Sequence, residues 1–198
     1  MTDAQVMAAL GAPPGLSPEG RFDPDTYAYS KGSSDLAVLK RAYRAMQKRL
    51  ADAWQERAPD TPLQSADDAL VLASIVEKET GVGADRGKVA GVFVNRLRLG
   101  MPLQTDPTVI YGLGANFDGN LRKRDLLADT PYNTYTRRGL PPTPIAMPGA
   151  ASLRAAVQPA PTRALYFVAR SDGSGGSVFS ETLADHNRAV NQYQRGRP

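Results

Sequence analysis

The chain contains no cysteine, one histidine and one tryptophan among its 198 residues. The absence of cysteine excludes disulfides, thiolate metal sites and a cysteine nucleophile together. With His186 as the only histidine, a histidine-based metal cluster is excluded too, and neither a metal nor another cofactor is expected. No stretch reaches the roughly 18 apolar residues of a membrane span, and the N-terminal region lacks the charged segment followed by an apolar one that marks a secretory leader. As it stands, the chain is expected to be soluble and to carry no address.

Hydrophobic residues make up 41% and charged residues 22%, a globular balance that fits one domain of ordinary size with at most a small appendage. A formal net charge of +4 and a pI near 9.4 bias the surface towards anionic partners without choosing among nucleic acid, acidic lipid and cell-wall polymer. The basic residues form short knots at Lys40-Arg41, Lys48-Arg49, Arg122-Lys123-Arg124 and Arg137-Arg138, and such clusters are usually solvated faces. Basic and aromatic residues are not interleaved on any one element, which disfavours a nucleic-acid binder.

Residues 1–34 are punctuated by Pro13-Pro14-Gly15 and Pro18-Glu19-Gly20, so mostly loop is expected, with a candidate strand around Thr26 to Tyr29. From Asp35, the residues Leu36, Leu39, Tyr43, Met46, Leu50 and Trp54 recur every three or four positions and predict a helix with one apolar stripe, capped by Ser34. A second helix is predicted from Ala66 to Thr80, opened by Ser65 with Asp68 three residues on, and closed by Gly81 in the left-handed conformation. A third follows from Asp85 to Leu99 with Gly100 as its stop, antiparallel to the second. Between Met101 and Pro148 the helical period fades into a loop-built surface, where binding chemistry tends to sit. A short helix over Ala150 to Val157, a hairpin of Ala164 to Ala169 with Ser177 to Ser180, and a terminal helix from Leu183 to about Arg195 complete the reading. The expected fold class is α+β: a helical core, a small β-hairpin and a loop-rich substrate face.

The second helix carries an anomaly. Leu72, Ile75, Val76 and Glu79 occupy i, i+3, i+4 and i+7, so Glu79 continues the stripe that should face the core. Glu77 lies about 200 degrees round the helix and cannot share a small site with it. Burying an ionised carboxylate is unfavourable, and the usual response is a raised pKa, which suits a general acid. The competing reading is a half-exposed Glu79 at the helix end, ion-paired with Arg86 or Lys88. The helix dipole also disfavours an anion at that end.

The words of the chain narrow this choice. Ala73-Ser-Ile-Val-Glu-Lys-Glu79-Thr-Gly81, Lys88-Val-Ala-Gly-Val-Phe-Val-Asn-Arg-Leu97 and Leu103-Gln-Thr-Asp-Pro-Thr-Val-Ile-Tyr-Gly112 closely resemble the MltG (YceG-like) endolytic transglycosylases. Tyr132-Asn-Thr-Tyr135, Gly139-Leu-Pro-Pro142, Ile145-Ala-Met-Pro-Gly149, Leu165-Tyr-Phe-Val168 and His186-Asn187 follow in the family's order. The resemblance runs from about Glu19 to Tyr193. Arg21 and Asp23 depart from it, standing where the family tends to have large aromatic or apolar residues, so the packing of the N-terminal segment is the expected point of difference.

The resemblance implies that Glu79 is the acid and base that cuts peptidoglycan between N-acetylmuramic acid and N-acetylglucosamine, leaving 1,6-anhydro ends. It implies a division into residues 1–34, at the edge of a truncated LysM-like subdomain, and a catalytic domain over 35–198. It also implies an extracytoplasmic location at the inner membrane through an anchor absent from this chain, and a peptidoglycan synthase as protein partner. A catalytically idle scaffold for such a synthase and a hydrolytic muramidase remain as alternatives. Gln104, Tyr132, Asn133 and Tyr135 are candidate sugar contacts, since amides bridge sugar hydroxyls and aromatic faces stack on pyranose rings. Each tyrosine could equally be packing, and Asn133 could cap its own turn. Asn95 and Arg96 are expected to support the site from behind, Arg96 by setting the charge around Glu79. Asp106 is the one candidate second carboxylate, but Asp106-Pro107 reads more readily as a helix cap with proline in first place. His186 is expected to make a structural hydrogen bond.

Overall fold

The computed structural model describes residues 1–195; residues 196–198 of the expected catalytic domain lie outside them. The elements run α1 (Asp3–Ala9), α2 (Asp35–Gln55), α3 (Ala66–Glu79), α4 (Gly83–Arg98), α5 (Asp106–Leu113), α6 (Lys123–Leu127), α7 (Ala150–Val157), β1 (Tyr166–Ala169), β2 (Ser177–Ser180) and α8 (Leu183–Val190). A single 3-10 turn, Gly114–Asn116, follows α5, and a π turn, Asn191–Arg195, follows α8. The fold is α+β, as expected, with one antiparallel hairpin in the register Tyr166 to Ser180 and Ala169 to Ser177. No helix of the described residues is long and apolar enough to cross a membrane.

At the centre is α3, whose residues from Ala69 to Val76 are all buried. It packs against α2, α4, α5 and α7, so it is a core helix surrounded on every side rather than one with a single buried stripe. Leu70, Leu72 and Ile75 meet Phe93 and Val94 of α4, Leu153 of α7, and Leu103 and Ile145 from loops; each such side chain contributes roughly 1.5–3 kcal/mol by leaving water. Ser74, buried within α3, accepts a hydrogen bond from the Ile145 amide at 2.9 Å and so ties the 140s loop to the helix. At Gly91 of α4 a Cβ would come within 2.6 Å of Thr162 Cγ2 and 2.9 Å of the Ala160 carbonyl. That glycine is required by the close approach of the 160–162 strap.

Several local expectations are corrected. The N-terminal segment contains a helix, α1, held by a reciprocal capping box between Thr2 and Gln5. Residues 26–29 form no strand: they have no paired neighbour, and the Ala28 carbonyl accepts from Arg41 instead. Gly81 does not close α3 in the left-handed region; the helix ends at an extended Thr80, whose hydroxyl accepts from the Val82 amide at 3.1 Å. The third helix starts at Gly83, two residues before the expected Asp85, and Gly100 at φ +62° stops it. The stretch 101–148 is not wholly irregular, since α5 and α6 lie within it. β1 starts at Tyr166 rather than Ala164.

The departures at Arg21 and Asp23 are accommodated by charge pairing. Arg21 pairs with Asp67 at the start of α3 at 2.7 Å. Asp23 is buried, lies 3.2 Å from Arg49 of α2 and accepts from the Tyr27 hydroxyl at 3.0 Å. An acidic side chain placed in such a position is tolerated only when paired.

Candidate active site

Glu79 is the last residue of α3, so it stands at the edge of the core where the helix meets open space. A cleft of about 590 Å³ begins there, lined by Glu79, Arg96 of α4, Gln104 and Asp106 at the entry to α5, and Tyr135. Tyr166 and Phe167 of the hairpin and His186 of α8 form its other wall. Glu79 is partly buried and has no ion-pair partner among the described residues. Lys88, one of the two cations that could have neutralised it, instead places its ammonium 5.6 Å from the centre of the Phe179 ring.

Burial raises the Glu79 carboxyl above its ordinary pKa. The Thr105 hydroxyl, which donates to Glu79 Oε1, opposes that rise, and the charge of Asp106 adds to it. A carboxyl whose pKa is raised by burial and that is held by one donor is suited to give a proton and take one back. Glu77 is elsewhere: its Oε2 accepts from the Gly149 amide at 3.0 Å and serves the start of α7, where an anion is favoured.

The loop that faces Glu79 is locally unusual. Gln104 is the single non-glycine at positive φ among the described residues, at +51°. Its amide donates to the Thr134 carbonyl at 3.0 Å, and its side-chain oxygen accepts from Arg96 Nη1 at 3.3 Å. Asp106 is not the cap expected from Asp106-Pro107. Thr105 occupies the N-cap position and Asp106 the first helical one, which leaves the Asp106 carboxylate free to accept from the Tyr135 hydroxyl at 2.5 Å. Burial first, then that hydrogen bond and the charges of Asp106 and Glu79, push the Tyr135 phenol upward, so it stays a donor.

Arg96 is buried and works as a clamp. Its Nε donates to the Leu165 carbonyl at 2.7 Å, while Nη1 donates to the carbonyls of Pro102 at 3.1 Å and Leu103 at 2.9 Å. The guanidinium lies 5.1 Å from the centre of the Tyr166 ring. Its charge is not among the influences that move Glu79, so its expected role there is replaced by a mechanical one. Among the described residues His186 does not make the expected structural hydrogen bond. Its ring stacks on Tyr166 with centroids 5.3 Å apart and its buried Nδ1 has no partner; burial, then the charge of Arg96, lower its pKa.

Three expected site residues are not brought to the cleft. Asn133 is fully buried, with its amide nitrogen donating to the carbonyls of Asp125, Leu126 and Ala128 and its oxygen accepting from the Tyr135 amide. It therefore shapes the loop that presents Tyr135. Tyr132 packs on Tyr111 and its hydroxyl lies 2.7 Å from that of Thr143. Asn95 donates to the carbonyls of Thr162 and Ala164 ahead of β1. Among the residues not anticipated are Thr105, which bonds Glu79, and Tyr166 and Phe167, which line the cleft. Thr before Asp-Pro signals a cap, but nothing local says that its hydroxyl would turn to another helix.

The YceG-like family model matches residues 2–192. The chain is 41% identical over 175 residues to an endolytic murein transglycosylase of Bacillus subtilis, covering 88% of this chain and 48% of that protein. It is 31% identical over 180 residues to an endolytic murein transglycosylase of Streptococcus pneumoniae, covering 88% of this chain and 32% of that one. A crystal structure of a yceG-like protein from Listeria monocytogenes superposes with a TM-score of 0.75 at 34% identity, over 94% of this chain and 62% of that one. The chain spans less than half the length of the curated relatives it matches.

Proposed function

Because the chain belongs to the YceG-like family, we propose that it is the catalytic part of an endolytic murein transglycosylase with Glu79 as its acid and base. The observation that carries the reading is a partly buried carboxyl, unpaired with any cation among the described residues and held by the Thr105 hydroxyl, at one side of a cleft that can take sugar rings. Protonated Glu79 donates to the oxygen between N-acetylmuramic acid and N-acetylglucosamine, and the bond from that oxygen to the muramyl anomeric carbon breaks through an oxocarbenium-like state. The Glu79 carboxylate then takes the proton of the muramyl C6 hydroxyl as its oxygen closes on the anomeric carbon. The product is a 1,6-anhydro end, no water is consumed and Glu79 is protonated again.

In this reading Gln104, Asp106 and Tyr135 meet the sugar, Arg96 and Asn133 hold the loops that carry Gln104 and Tyr135, and Asn95 holds the approach to β1. The substrate sets the working location on the extracytoplasmic side of the membrane, with nascent glycan strands as partner and a peptidoglycan synthase as the neighbour that produces them. A hydrolytic reading has one observation in its favour, that Asp106 shares the cleft with Glu79; its carboxylate accepts from the Tyr135 hydroxyl.

The test is cleavage of purified glycan strands by the parent, Glu79→Gln and Glu77→Gln, with products identified by mass spectrometry. Anhydro ends from the parent and from Glu77→Gln, with none from Glu79→Gln, are the expected result. Reducing ends would indicate a hydrolase. Undiminished cleavage by Glu79→Gln would overturn its role as acid and base, and no cleavage by any variant including the parent would leave a binding scaffold.

A further inference from the structure

We infer that Thr105 is a positioning residue for Glu79, fixing its carboxyl through a hydroxyl hydrogen bond and stabilising the carboxylate that forms when the proton has left. The inference rests on Glu79 acting as proposed above. Thr105 is 2% exposed and sits at the N-cap of α5, yet its side chain makes no capping bond. Threonine is favoured at N-caps because its hydroxyl oxygen accepts from the first turn of the helix. Here an eight-residue helix forgoes that bond, and the hydroxyl donates across to Oε1 of Glu79 on α3.

The surroundings leave the hydroxyl little choice. Thr108 donates to the Thr105 carbonyl at 2.7 Å, and the Thr105 amide donates to Thr134 Oγ1 at 3.1 Å. The Thr108 and Thr134 hydroxyls are 2.8 Å apart. A hydroxyl has one proton to give, and that of Thr108 is already committed to Thr105, so Thr134 must donate to Thr108. The three buried threonines thus form a closed ring of hydrogen bonds in which both main-chain groups of Thr105 are engaged. The one proton not used within the ring is that of the Thr105 hydroxyl, and it points to Glu79.

The other groups that face the cleft do not replace it. Asp106 and Tyr135 are bonded to each other, Arg96 is used by main-chain carbonyls and Gln104, and Tyr166 and His186 stack on the opposite wall. Thr105 is the one hydrogen-bond donor to Glu79 among the described residues. A donor of this kind favours the charged carboxylate. It is therefore worth most after the first proton transfer, when Glu79 must be a base for the C6 hydroxyl, and it does not require the substrate to be bound.

Thr105→Val removes the hydroxyl and keeps the branched shape, whereas Thr105→Ser keeps the hydroxyl and loses the methyl. With the full chain on purified glycan strands, Thr105→Val is expected to lower kcat by about 10- to 100-fold, the value of one hydrogen bond to a charged group, with KM little changed. The alkaline limb of kcat/KM, which reports loss of the acid's proton in the free enzyme, should move to higher pH. Thr105→Ser should keep the parent's limb and most of its kcat. A Thr105→Val enzyme with the parent's kcat and limb overturns the inference. So does the reverse pattern, in which serine is damaged and valine is not, because it assigns Thr105 to packing. Should thermal unfolding show that the valine variant does not fold, the serine variant decides: an unchanged limb and kcat support the role, and a loss of kcat overturns it. Glu79→Gln is run beside them. If it retains the parent's activity, the proposed function fails; if it is inactive while Thr105→Val is unaffected, only the role of Thr105 fails.

Discussion

Replacing Arg96 by lysine keeps the charge and should still damage both stability and substrate binding. The guanidinium reaches in two directions, with Nε on the Leu165 carbonyl ahead of β1 and Nη1 on the Pro102 and Leu103 carbonyls and the Gln104 side chain. A lysine ammonium is one compact donor on a flexible stem and cannot serve both directions. At least one side of the clamp is lost, leaving main-chain carbonyls to be satisfied by water that enters from the cleft. Hydrogen bonds to charged groups are worth about 1.5–3 kcal/mol each, and partial rehydration reduces the loss, so a net cost of about 2–4 kcal/mol is expected. For a chain of this size that is a fall in Tm of roughly 4–16 °C. Urea denaturation should show a lower midpoint with an unchanged m value. Because Gln104 loses its partner, KM for glycan strands should rise more than kcat falls. A lysine variant within about 0.5 kcal/mol of the parent, with its KM intact, would refute the view that Arg96 holds the loop and the hairpin together.

Gly91→Ala should destabilise by about 1–3 kcal/mol in the same denaturation experiment, although alanine is the better helix former by about 1 kcal/mol. Packing wins because the added Cβ would meet the main-chain carbonyl of Ala160 at 2.9 Å, and a gain in stability would show that the 160–162 strap can move aside. Glu79→Gln should be more stable than the parent at neutral pH. Glu79 binds its proton more tightly in the folded state, so the parent loses stability as pH rises from the ordinary value of 4.5 through the raised one, and glutamine does not titrate. The difference in Tm should be small near pH 4 and open as pH rises; a gap that is constant or reversed would contradict a raised carboxyl.

The helices were legible where periodicity and caps coincide. Ser34 and Ser65 both cap where expected, accepting from Ala37 and Asp68, and α7 runs over the expected residues. The start of α5 was legible one residue late in Asp106-Pro107, whereas α1 and α6 were missed because five to seven residues offer too few turns for a period to emerge. Their stability comes from capping boxes or from neighbours rather than from pattern. Glu79 was found by a wheel argument that assumed one buried face, although α3 is buried on all sides. The position was informative for a different reason: it is where a core helix ends at a cleft. Asn133 and Tyr132 show the converse limit. Their residue types suit sugar binding, but an amide surrounded by three orphan carbonyls is drawn to them, and no one-dimensional pattern displays those carbonyls.

The residues that break local rules are neighbours. Gln104 takes a left-handed conformation that costs a side-chain-bearing residue about 1–2 kcal/mol. Thr105 leaves its own helix uncapped, and Glu79 places a carboxyl where burial opposes its charge. Each deviation is held by something that does obey the rules: the Arg96 clamp, the threonine ring and the Asn133 turn. Sequences specify a fold by agreement between local preference and global packing, and departures concentrate where function asks for them. Away from the cleft, Arg21 and Asp23 also break a pattern, yet each has an ion-pair partner, on α3 and on α2. Around Glu79 the carboxyl has, among the described residues, a single hydroxyl donor and no cation. That remaining imbalance is what a proton donor to a glycosidic oxygen requires.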